Sequence, residues 1–130
     1  MSKQKQIDYW TQSAKKDFET MQYLIKGKKF VHALFFGHLY LEKIAKAVWI
    51  KSNNENYPPK IHNILSVLQQ AKVSLEEKHQ LFLLKLNQYQ VEGRYPEDIE
   101  KLYKITDRKL VAEYVVTIKD IAKCLQKKLR

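Results

Sequence analysis

The segment from Phe30 to Ser52 constrains this chain more than any other. Phe30, Val31, Ala33, Leu34, Phe35, Phe36, Leu39, Leu41, Ile44, Ala45, Val48, Trp49 and Ile50 fall on nearly every side of a helical wheel. A helix that is apolar all round must be buried all round. It is therefore central to a helical bundle or sealed by a second subunit. With only three Gly and three Pro in 130 residues, little turn chemistry is present for a sheet protein. Long helices joined by a few loops are the economical alternative, in one domain spanning residues 1–130 with a core from about 7 to 128.

The flanking periodicity agrees. Ile7, Trp10, Ala14, Phe18, Met21 and Ile25 step by three or four, predicting a first helix over 7–26 that Gly27 ends. The short connection at Lys28 and Lys29 makes it an antiparallel hairpin with the apolar helix. Pro58-Pro59 closes a polar loop before a short helix over 62–72. Ser74 and Glu77 form a capping-box pattern opening a helix to about Val91, with Leu81, Phe82, Leu84, Leu86 and Tyr89 expected inside. Residues 92–106 read as irregular. Asp107 caps a last helix whose stripe runs from Leu110 to Leu129. The expected fold is all-α, an up-and-down antiparallel bundle of four to five helices.

Composition narrows the function classes. Hydrophobic residues make up 45% of the chain, which excludes a disordered segment. The single Cys124 forms no internal disulfide and no multi-cysteine metal site, and its place on a helical apolar stripe reads as a small buried hydrophobe. No secretory pattern opens the chain, and the longest apolar run, Ala33 to Gly37, is far short of a membrane span. A cytoplasmic protein is expected. The net charge of +10 comes from 21 Lys and only three Arg. A polyanionic partner (RNA, nucleotide or acidic protein) fits, and so does plain solvation by scattered Lys.

Within the apolar helix, His38, Glu42 and Lys46 are spaced by four and stack along one line, with Lys43 beside them. Polar groups on a buried helix need partners. A Glu42–Lys46 pair on the helix rim, with His38 bonded to Glu42, accounts for the stripe structurally. A polar-lined groove for a phosphate or base accounts for it functionally. His62 at a helix start and Arg94-Tyr95 in the loop after the fourth helix are further candidates, whereas His79 reads as solvent-facing.

The run from His32 to Ala47, HALFFGHLYLEKIAKA, resembles the second-helix signature of HEPN domains, the nucleotide-binding domains of higher eukaryotes and prokaryotes. Three further features arrive in that family's order. Tyr9-Trp10 with Ala14 and Asp17 opens the first helix, Pro58-Pro59 with His62-Asn63 precedes the third, and Gly93-Arg94-Tyr95-Pro96 follows the fourth. The resemblance covers about residues 7 to 128. It implies an up-down helical bundle, commonly a homodimer, often paired with a minimal nucleotidyltransferase in a toxin–antitoxin-like module. Some members are metal-independent ribonucleases that use an Arg and a His separated by four to six residues. Here the window after Arg94 holds Ile99, Glu100 and Lys101, and that after Arg108 holds Glu113, Tyr114 and Val115. The pair is absent.

The expected function is a non-catalytic module that binds a nucleotide or a nucleotidyltransferase partner. Its candidate site is His38, Glu42, Lys43, Lys46, His62, Arg94 and Tyr95, with no cofactor and no metal. The alternatives are a divergent metal-independent RNase toxin, with His38 or His62 as base and Arg94 steadying phosphate, and a purely structural interaction domain.

Overall fold

The computed structural model describes residues 2–92 and 94–130. Helix α1 runs Lys3–Lys26, α2 Phe30–Ser52, α3 Ile64–Gln70, α4 Glu77–Leu86, α5 Pro96–Ile105 and α6 Arg108–Lys127, with a 3-10 turn at Asn87–Tyr89 after α4. Among the described residues there is no strand. The apolar helix forms over the residues its pattern predicts, and α1, α3, α5, α6 and the 3-10 turn all pack against it. Sixteen of its 23 residues are buried, Phe35 and Tyr40 among them. The bundle itself therefore covers α2, and its burial does not require a second copy. One apolar cluster draws on every helix, from Ile7, Ala14 and Met21 of α1 through Leu102 of α5 to Ile118, Ile121 and Leu125 of α6.

Local chemistry sets the helix ends. Ser2 accepts the N–H of Lys5 and starts α1 four residues earlier than its apolar periodicity. The α1–α2 turn is closed by bonds from Lys29 N–H to Leu24 O and from Lys28 N–H to Ile25 O. That pattern needs a left-handed residue, and Lys28 supplies it at φ 59°, while Gly27 stays at φ −82°. The same device, with Lys72 at φ 58°, ends α3.

Three sequence expectations change. The stretch 92–106 contains helix α5, raising the helix count among the described residues to six: Pro96 sits in its first turn with a preset φ, and Glu97 and Asp98 complement the helix dipole there. In α4 the predicted Ser74 cap gives way to Glu76, which makes no side-chain capping bond, and the helix stops at Leu86. Its inward face is His79, Phe82, Leu83 and Leu86, spaced by three and four, so Leu81 and Leu84 lie exposed. On α6 the buried stripe is Ile118, Ile121, Ala122 and Leu125, which turns Cys124 outward to solvent.

Candidate functional site

The stripe on α2 is buried, not a rim. His38 is 0% exposed, Glu42 4% and Lys46 5%. Glu42 is the hub. Its Oε2 accepts from Lys46 Nζ at 3.0 Å, and both carboxylate oxygens lie 3.2–3.3 Å from His62 Nδ1. His38 Nδ1 faces Oε1 at 3.6 Å, beyond hydrogen-bond reach, and has no other partner. Its Nε2 meets Asn87 Oδ1 at 3.1 Å. The Lys46 ammonium also sits 5.4 Å from the centre of the Trp10 ring, so an α1 aromatic closes that side.

Arg94 reaches the same assembly from the loop. Its Nη2 donates to Asn87 O at 2.9 Å, which also accepts the Gln90 N–H, and its Nε donates to Gln90 O at 3.2 Å, so the guanidinium clamps the end of the 3-10 turn. Polar groups thus line up as His62–Glu42–His38–Asn87–Arg94, hydrogen-bonded at each step except between Glu42 and His38, which only face each other at 3.6 Å. Tyr95 is next along the chain, 74% exposed at the start of α5. Lys43 is not part of this line. It projects toward α1, pairing with Asp17 at 2.7 Å and Ser13 Oγ at 2.8 Å.

The fold sorts the candidates by access. Burial removes water from the His38 ring and holds its pKa below the usual 6.5, against opposing pulls from Asn87 and Glu42. His38 is therefore neutral near pH 7 and cannot touch a ligand in solution. The His62 ring, 61% exposed, is the one candidate base that Glu42 orients while solvent can reach it. Because the folded His38 binds protons less readily than the unfolded chain, stability should fall as the pH drops below about 6.5 and continue falling towards the depressed folded value. Urea midpoints at pH 7.5 and 5.5 should show this loss, and His38→Gln should flatten it. An equal loss in that variant would reject His38 as the cause.

Chemically, the buried part is a charge-balanced scaffold, and the exposed part offers a ring, a guanidinium and a phenol. Among the described residues no cluster of three or more His, Cys, Asp or Glu could hold a metal ion, and no helix is long and apolar enough to cross a membrane.

A family model for the HEPN domain matches residues 7–128. The chain belongs to the HEPN family. The match takes in all of the polar line just described, and places this bundle among nucleotide-binding and ribonuclease-type modules. No curated protein and no solved structure matches the chain.

Two parts of this arrangement escaped the sequence. Asn87 lies 49 residues from His38, and only the ending of α4 brings it there. The Lys43–Asp17 pair joins two helices whose relative rotation no single-helix pattern fixes. Trp10, expected only as core, carries a usable signal: an aromatic on α1 across the hairpin from a buried Lys.

Proposed function

We propose that this HEPN domain is a non-catalytic module that binds a nucleotide, or the nucleotide-handling face of a minimal nucleotidyltransferase, at the surface carrying His62, Arg94 and Tyr95. The reading rests on the polar line from His62 to Arg94, which ties two exposed groups suited to phosphate to one buried scaffold. Arg94 keeps guanidinium donors beyond the two spent on carbonyls, and Tyr95 offers an exposed ring on which a base can stack. Glu42 and Lys46 hold the platform and do not contact the ligand. The arrangement fits a toxin–antitoxin-like pair in the cytoplasm, with a homodimer meeting through Leu81, Leu84 and Val116, apolar side chains left exposed on α4 and α6.

ATP, GTP and their monophosphates at millimolar concentration test the nucleotide half. A ligand at a hundredfold excess over its Kd should stabilise the fold by about 2.7 kcal/mol. The double change His62→Ala with Arg94→Ala should abolish that gain while leaving the ligand-free melting temperature within a few degrees. No stabilisation by any of the four would remove nucleotide binding and leave the protein partner.

The Glu42–His62 contact favours one alternative, a divergent RNase in which His62 accepts the proton of a ribose hydroxyl. It requires growth arrest on expression, relieved by His62→Ala. Unimpaired growth with intact cellular RNA would dismiss it.

A further inference from the structure

A cavity of about 370 Å³ adjoins Arg94, the guanidinium of the site proposed above. Gln88 of the 3-10 turn and Arg94 form one side of it, and Asp98, Lys101, Leu102 and Ile105 of α5 form the other. Those four are spaced as one face of α5, over about 10 Å of helical rise. Tyr95 lies one turn before Asp98, whose N–H donates to Tyr95 O at 3.1 Å. The volume falls within the ~300–1,000 Å³ of small-ligand sites.

Two kinds of surface meet in this cavity. Leu102 is buried and Ile105 is 56% exposed, which together make an apolar seat for a flat ring. Gln88, Asp98 and Lys101 are exposed, and no bond within the chain occupies their side chains among the described residues. A groove built for phosphates alone gains nothing from a free carboxylate among its cations, because like charges repel. Asp98 suits the uncharged part of a nucleotide instead, and its chemistry chooses among the bases. An ionised carboxylate only accepts hydrogen bonds, so it engages both oxygens where a base offers two neighbouring donors. Guanine offers them at its ring N1–H and its 2-amino group. Adenine and cytosine set a ring acceptor beside their amino group, and uracil flanks its one N–H with carbonyls.

We propose that this cavity seats the base of a guanine nucleotide. Asp98 accepts from the N1–H and the 2-amino group, and the Gln88 amide donates to the 6-oxygen. Leu102 and Ile105 lie against the ring, with Tyr95 stacking from one turn earlier. Arg94 and Lys101 remain for the phosphate. The proposal rests on the nucleotide-binding reading above and adds to it the identity of the base.

Titration of the intact chain with the 5′-monophosphates of guanosine, adenosine, cytidine and uridine, followed by amide NMR, tests the assignment. Guanosine monophosphate should bind at least about tenfold more tightly than the other three. It should also shift the Gln88 side-chain amide and the Leu102 and Ile105 backbone amides. Inosine monophosphate, which lacks only the 2-amino group, should fall between. Asp98→Asn keeps the shape of an exposed side chain, so the rest of the spectrum should be unchanged. That variant should erase the preference for guanine and bind adenosine monophosphate no more weakly than the parent does. Equal affinities in the parent, or a preference that persists in Asp98→Asn, overturn the guanine assignment and leave the nucleotide site standing. No response to any monophosphate up to about 20 mM removes both together.

Discussion

Glu42→Ala is expected to cost the fold about 3–5 kcal/mol, because it strands a buried ammonium. Lys46 is 5% exposed and its Nζ donates to Glu42 at 3.0 Å. With the carboxylate gone, that charge keeps only the face of Trp10. The other contacts of Glu42 contribute less. His62 is 61% exposed, so solvent screens its share, and His62→Ala alone should cost under about 1 kcal/mol. The large effect thus belongs to the unpaired partner and not to the net worth of the ion pair. Glu42→Leu with Lys46→Met should therefore regain most of the loss, since replacing a buried pair with well-packed apolar groups is often neutral or stabilising. Urea unfolding of the two variants beside the parent measures both numbers. A single-variant loss below about 1 kcal/mol would mean that Lys46 escapes to water, and the buried network would not stand.

That network also marks where sequence reading stops. The spacing of His38, Glu42 and Lys46 placed them on one line, which follows from the geometry of one helix, but the pair expected on the rim is in fact buried. The bounds of α2 and the buried stripe of α6 were legible for the same reason. What the pattern left open is rotation between helices. Lys43, one residue from the stripe, turns to Asp17 on α1, and no periodicity in α2 alone decides between the two directions. His79 shows how a prior about residue type can hide a face. Taken as solvent-facing, it breaks the series His79, Phe82, Leu83, Leu86, and the inward set then slides to Leu81 and Leu84. Arg94 was legible as a candidate but not in its bonding. Its partners are carbonyls, which every residue has and no composition reveals.

Gly37 is the other position at which the fold should fail. It ends the longest apolar run in the sequence, where it reads as one more small residue. In the bundle it faces side chains of both α1 and α6: a Cβ built there would lie 2.9 Å from Ile118 Cδ1 and 3.1 Å from Met21 Sδ. Both neighbours are 0% exposed. Alanine sets two effects of similar size against each other. It gains about 1 kcal/mol of helix propensity over glycine, and it pushes the flexible ends of Ile118 and Met21 by a few tenths of an ångström. Its net effect should be within about 1 kcal/mol of zero. Leucine brings three further carbons into the same gap with no added propensity, and overpacking of that kind costs about 1–3 kcal/mol or more. With the helices forced apart around a fully buried junction, Gly37→Leu should fall at or above the top of that range. Shortening the obstruction separates steric cause from general fragility. Ile118→Ala alone should lose about 2–5 kcal/mol by opening a cavity. Combined with Gly37→Leu it should lose at least about 1 kcal/mol less than the sum of the two, because the new side chain fills the space the old one left. Strict additivity, or a Gly37→Leu protein as stable as the parent, would mean that the three helices do not meet at this residue.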